Sequence, residues 1–206
     1  MNYRLSLKHE NDTQVADDHV YHPGHLNDVC AAIEFLCTAP EIKSYLGISK
    51  MPRLYLLGHS AGAQLTGSIV MNGSQISKDA YSSIKGIVGI EGIYDIPFMC
   101  EKWPAYPEWF VENAFGKDRE IWKQASPQYM VTQLENFIPY MLLFSDNDEL
   151  LDKEQTTRYA DSLRNKGYNR VSLDLTSLIG AHDGVLKEDA LYSVIKDFVL
   201  EIEKID

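Results

Sequence analysis

The stretch "LYLLGHSAGAQL", residues 54–65, decides the fold. It opens as a short apolar run behind Pro52, too brief for a buried helix, and passes through Gly-x-Ser-x-Gly into small residues, "AGAQLTGSIVM", that suit a helix. The reading is strand, tight turn, helix. Gly58 and Gly62 free that turn from Cβ clashes, so Ser60 stands on a sharp bend with its hydroxyl exposed and helix amides beneath it. Ala61 and Ala63 let the helix lie close against the strand. The pentapeptide alone arises by chance in roughly one chain of this length in fifteen. Its setting between strand and helix gives it weight.

Working outward, short β-rich runs alternate with helical patterns. "HLNDVCAAIEFLC" (25–37) places Leu26, Val29, Cys30, Ile33, Leu36 and Cys37 on one helical face, with Pro40 and Gly47 as breakers beyond it. "IKGIVGIEGIYD" (84–95) and "IPYMLLFSD" (138–146) read as buried strands with their following loops. A helix over about 153–166 stops at Gly167, which suits a left-handed position after the cap. "RVSLDLTSL" (170–178) alternates as a half-exposed edge strand does, and the last helix carries Leu191, Val194, Ile195, Phe198, Val199 and Ile202 at helical spacing. Between the second and third strands lies an irregular aromatic segment, Pro97 to Pro127. Strands alternating with helices over this length indicate an α/β fold with a mostly parallel sheet.

The bulk composition narrows the function. With 206 residues, 45% of them hydrophobic, the chain suits one domain over residues 1–206, with 97–127 as a candidate cap. A net charge of −11 and the lack of any Lys/Arg run exclude a phosphate-tracking surface, so no nucleic-acid partner is expected. Cys30, Cys37 and Cys100 have neither C-x-x-C spacing nor an even count, and read as free thiols in a reducing compartment. "MNYRLSLKHENDTQ" lacks a signal-peptide core and no segment approaches a membrane span. The expectation is a soluble, cytoplasmic protein acting on a small molecule, with its oligomeric state left open.

In a parallel sheet, ligands bind at the carboxyl ends of the strands, where Ser60 lies. A serine hydroxyl attacks only when a base takes its proton and an acid orients that base, and after such an elbow the chain order is Ser, then Asp or Glu, then His. His182 in "LIGAHDGV" is the one histidine after Ser60 and falls between the last strand and the last helix. "FSDNDELL" offers Asp148 and Asp146 as the acid. Asp148 has the longer reach past the strand end, and Asp146 suits a turn cap. The Ala61 backbone N–H is the candidate oxyanion donor. Glu91 and Asp95 read as loop or pocket residues. His59 reads as a packing or hydrogen-bonding neighbour of the nucleophile and, with Tyr94, Phe98, Trp103 and Trp109, as a candidate substrate contact; Tyr106 adds to the aromatic surface. His22 and His25 lack the companions of a ligand set, so no metal is expected, and serine chemistry requires no cofactor.

With these residues in place, the chain resembles the α/β-hydrolases, on the esterase and kynurenine formamidase (arylformamidase) branch. The resemblance rests on "NYRLS" (2–6), "HPGHLNDVCAAIEFL" (22–36), "LYLLGHSAGAQL", "GIEGIYDI" (89–96), "FGKDREIWKQASP" (115–127), "SDNDELL" and "GAHDGV". It implies a three-layer sandwich, a Ser60–His182–Asp148 triad, and an aspartate directly before "-E-L-L", which favours Asp148 over Asp146. The implied reaction is hydrolysis of a small acyl amide or ester, foremost an N-formylkynurenine-type aryl formamide in tryptophan breakdown; the alternatives are a short-chain carboxylesterase and a non-catalytic binding relative. Relatives also carry a His-Gly-Gly motif upstream of the "YRLS" segment, and this sequence has none. The resemblance therefore implies missing N-terminal strands and half an oxyanion hole. The expected reason is a start site assigned too late, ahead of a natural short variant or a fragment.

Overall fold

A computed structural model describes residues 1–6, 19–131 and 138–205. Four parallel strands form one sheet in the order β1 (Leu54–His59), β2 (Ile84–Ile90), β3 (Tyr140–Leu143) and β4 (Val171–Asp174). The chain order of the strands is thus their order in space. Helices α1 (Gly24–Thr38) and α2 (Pro40–Leu46) precede β1; α3 (Ala61–Met71) and α4 (Lys78–Ser83) lead to β2. From β2 the chain runs through α5 (Ile96–Lys102), a π-helical turn (Pro107–Val111), α6 (Glu112–Phe115), α7 (Arg119–Gln124) and α8 (Pro127–Met130). After β3 come α9 (Lys153–Asn165), β4, a 3₁₀ turn (Val185–Lys187) and α10 (Asp189–Ile205).

Period-two alternation in buried strands sends neighbouring side chains to opposite faces and so makes three layers. Ile87 and Leu142 pack with Leu26 and Ile33 of α1, Ile69 of α3 and Leu163 of α9. Val88 and Leu143 pack instead with Leu191, Phe198 and Ile202 of α10. The expected α/β-hydrolase sandwich is present. A third cluster gathers Ile96, Met99, Tyr106, Val111 and Trp122 over Phe144 and Leu151. The aromatic segment expected to be irregular is therefore a chain of short helices packed on its own apolar residues.

Three local signals resolve sharply. Gly167 takes φ 86°, and the amides of Gly167 and Tyr168 close back on the carbonyls of Arg164 (2.9 Å) and Leu163 (2.9 Å), ending α9 as expected. Pro40 and Gly47, read as breakers, instead bound the extra helix α2. β4 is shorter than its alternating pattern because the Asp174 carboxylate accepts from the Thr176 and Ser177 amides and turns the chain. Cys30, Cys37 and Cys100 are buried free thiols. Among the described residues no helix is long and apolar enough to cross a membrane.

The register sets up the site. His59, Ile90, Leu143 and Asp174 are successive partners across the sheet, so the four carboxyl ends are level. Ser60, Glu91, the 145–149 loop and the loop carrying His182 all start from that line. β1, the strand that bears Ser60, is an outer strand of the described sheet.

Candidate active site

Ser60 adopts φ 53° and ψ −119°, a region that non-glycine residues rarely occupy. Its backbone is over-determined: the N–H donates to Ile90 O (2.9 Å), and the carbonyl accepts from Ala63 N (3.0 Å) and Gln64 N (3.3 Å). Gly58 lets α3 cross β1 tightly, since a Cβ there would stand 2.6 Å from Ala63 N. A Cβ on Gly62 would meet nothing within 4 Å. Only the first of the two glycines is demanded by contact. The Ser60 side chain is half-buried and its hydroxyl has no hydrogen-bond partner among the described residues. The Ala61 N–H is the first amide of α3, ahead of any intrahelical acceptor.

On the far side of the sheet ends, His182 Nδ1 lies 2.8 Å from Asp148 Oδ2. The other carboxylate oxygen of Asp148 accepts from Leu150 N (2.8 Å) and Leu151 N (2.9 Å), fixing the acid by two backbone donors. The His182 N–H donates to Glu149 Oε2 at 2.9 Å, which anchors the histidine's own backbone to the same loop. Asp146, the alternative acid, is exposed and pairs with Lys153 Nζ at 2.5 Å. Of the two aspartates, it is Asp148 that meets the imidazole. Burial opposes a charge on His182, yet the hydrogen bond to Asp148 and the charges of Asp148, Glu91 and Asp183 outweigh it and hold the imidazole above its ordinary value.

One carboxyl here was not singled out for chemistry from the sequence. Glu91, with φ 45° at the end of β2, is wholly buried; its Oε2 lies 3.5 Å from both His182 Nδ1 and His59 Nε2. Among the described residues, neither of its carboxylate oxygens has a hydrogen-bond partner. Burial pushes its pKa up. The signal available was a charged residue closing an apolar strand at the level of Ser60. His59 Nε2 also reaches the His182 carbonyl oxygen at 3.0 Å, and the two rings stand 4.5 Å apart. Donor atoms of Glu91, Asp148 and His182 converge within 4.8 Å. The 2.8 Å bond between His182 and Asp148, with Asp148's other oxygen on two amides, orients the imidazole.

A cavity of about 280 Å³ opens beside Ala61, walled by Tyr3, Ile93, Met99, Phe110 and Phe115 among others. Among the described residues, no Lys, Arg, Asp or Glu lines it. His22 and His25 also belong to the wall, and burial lowers the pKa of both, so they face it as neutral rings. Ser6 Oγ donates to Val20 O at 2.5 Å, which leaves it to accept from His25 Nε2 at 2.8 Å and so assigns that proton. The aromatic residues expected to contact substrate lie elsewhere. Tyr94 is fully buried and stacks on Tyr159 at 4.4 Å, Phe98 lies under the Arg158 guanidinium at 3.9 Å, Trp103 stacks on Tyr106 at 5.5 Å, and Trp109 is 62% exposed. Asp95, also read as a pocket residue, caps α5 by accepting from Phe98 N at 3.0 Å.

Comparison with known proteins shows the family. Residues 25–194 match the prolyl oligopeptidase family. A kynurenine formamidase of Meyerozyma guilliermondii is 31% identical over 97% of this chain and 70% of its own length, and a kynurenine formamidase-like hydrolase of Fusarium equiseti is 29% identical over 90% of this chain and 63% of its own. The chain thus spans about two thirds of the length of these curated relatives. Among solved structures, a putative carboxylesterase of Lactobacillus plantarum superposes with a TM-score of 0.66 at 16% identity, covering 98% of this chain and 72% of the other, which shows the shared fold. The chain belongs to the prolyl oligopeptidase family of α/β-hydrolases and is related to the kynurenine formamidases.

Proposed function

We propose that the chain is a serine hydrolase that transfers the acyl group of a small amide or ester to water, with an N-formylkynurenine-type aryl formamide as its substrate class. The observation that carries this reading is the His182–Asp148 hydrogen bond of 2.8 Å, at the same carboxyl edge of the sheet as a serine held at φ 53° after β1.

Ser60 Oγ attacks the acyl carbon as its proton passes to His182 Nε2, and Asp148 holds the other imidazole proton on Nδ1. The carbonyl oxygen takes the negative charge and meets the Ala61 N–H at the start of α3; one such donor is worth roughly a hundredfold to a thousandfold in turnover. Collapse breaks the C–N or C–O bond, and His182 returns its proton to the departing amine or alcohol. Water then attacks the acyl-serine by the same path, giving its proton to His182, and the carboxylic acid leaves as Ser60 is restored. No metal or cofactor enters these steps.

The relatives' formamidase names and a cavity wall uncharged among the described residues support an aryl formamide. A flat neutral ring suits Met99, Phe110 and Phe115, with the helical segment 97–127 acting as the cap. Rates on N-formylkynurenine and on p-nitrophenyl acetate test this directly. Preference for the formamide is expected. Strong preference for the ester would replace the formamidase reading with a short-chain carboxylesterase.

A further inference from the structure

Glu91 stands out as a buried ionisable group that the hydrolytic steps leave unused. It is 0% exposed, sits on a left-handed backbone, and among the described residues neither carboxyl oxygen has a hydrogen-bond partner. A carboxyl removed from water without a partner is strongly disfavoured unless nearby charge compensates it. The groups facing it from packed elements are His59 at the end of β1, His182 from the loop after β4 and Asp148 from the loop after β3. Two are imidazoles, each 3.5 Å from Glu91 Oε2.

We infer that Glu91 is a positioning residue: its carboxyl bridges the His59 and His182 rings and governs the charge that His182 carries. This rests on the reading of His182 as general base. The geometry divides the work between two acids. Asp148, at 2.8 Å, accepts the Nδ1–H hydrogen bond directly and sets the ring's orientation. Glu91, at 3.5 Å from the same nitrogen, acts through its field. It reaches His182 by a second route as well, because His59 lies between the Glu91 carboxyl and the His182 carbonyl, 3.5 Å from one and 3.0 Å from the other. The backbone keeps Glu91 aimed into this gap, its N–H donating to Leu143 O at 2.9 Å. Asp183 adds a further negative charge near His182. Glu91 and His182, 3.5 Å apart, titrate together, so the proton affinity of His182 belongs to the pair and not to the ring alone.

NMR of the imidazole and carboxyl resonances tests the proposal without using catalysis. Glu91→Gln keeps size and shape and removes the charge; the His182 titration midpoint is expected to fall by about one unit, a tenfold weaker hold on the proton. A purely structural Glu91 would leave that midpoint where it is in the unaltered protein, and that result overturns the proposal. Should the variant fail to fold, the unaltered protein still decides: the Glu91 side-chain carboxyl and the His182 ring are expected to share inflections, and independent titration curves overturn the inference. Ser60 takes no part in either measurement. A serine that cannot be acylated would sink the hydrolase reading while leaving the coupling of Glu91 and His182 open to test.

Discussion

Gly58 and Ala63 approach so closely that a β-carbon on Gly58 would stand 2.6 Å from the Ala63 amide nitrogen. The contact is backbone on both sides, and neither side yields by rotating a side chain. It presses the first turn of α3 onto β1 and so sets where Ser60 and the Ala61 N–H sit. Gly58→Ala is expected to cost about 3 kcal/mol, the upper end of ordinary overpacking. Gly62→Ala, with open space around its Cβ and a helical position, is expected to be neutral or to stabilise by up to about 1 kcal/mol. Urea denaturation of the two variants checks the contrast, and equal destabilisation would contradict it.

The pH dependence follows from the raised proton affinity of His182. As a general base it works only when neutral, so kcat/KM is expected to fall as pH drops through a midpoint above the ordinary 6.5. Stability runs the other way. A histidine whose folded pKa is raised contributes fully below 6.5 and loses that contribution as pH rises through the folded midpoint. Asp148→Asn is expected to lower the midpoint and to reduce kcat by about 10⁴-fold, because the imidazole loses both its partner and its tautomer. A pH–rate profile of the two proteins reads both effects.

Arg4 grips Asp28 with three hydrogen bonds: backbone N to Oδ2 at 3.0 Å, Nε to Oδ2 at 2.9 Å and an Nη to Oδ1 at 2.8 Å. This fork holds the carboxyl at about 2, below its ordinary 3.8. A depressed carboxyl stabilises the fold above its unfolded value, and here that contribution is lost as pH falls from 3.8 through about 2. Arg4→Ala is expected to return the Asp28 midpoint toward 3.8 in a carboxyl NMR titration. Tyr3 and Leu5 flank Arg4 and line the cavity, so the same variant is expected to raise KM more than it lowers kcat.

The cavity wall separates two sets of aromatic residues. Ala114→Leu intrudes on the space beside Phe110 and Phe115 and is expected to lower kcat/KM for an aryl formamide by about tenfold, the scale of a methylene or two misplaced in an apolar pocket. Trp109→Ala, at a ring 62% exposed, is expected to change it less than twofold. The reverse order of effects would move the substrate to the aromatic surface read from the sequence.

Much of this architecture was legible because the physics is local. Ser60 and Gly58 announce the elbow, Gly167 the end of α9, and apolar runs the parallel strands, since each depends on neighbours within a few residues. His182 followed from chain order, and Asp148 over Asp146 from its reach past the strand end and from the family resemblance. What stayed hidden depends on convergence. Glu91 looks like any polar residue after a strand, and only the level ends of β1, β2 and β4 bring it to two imidazoles. Likewise, aromatic content alone says nothing about direction: Phe110 and Phe115 face the cavity while Trp103 and Tyr106 stack on each other a few residues away.

Reaction with a fluorophosphonate probe, followed by mass spectrometry of the folded protein, tests the central claim that Ser60 is activated by His182. An adduct is expected on Ser60 alone, forming faster as pH rises through the His182 midpoint, absent in Ser60→Ala and at least about a hundredfold slower in His182→Ala. A folded protein that gives no Ser60 adduct, or whose labelling rate is indifferent to the loss of His182, would contradict the account.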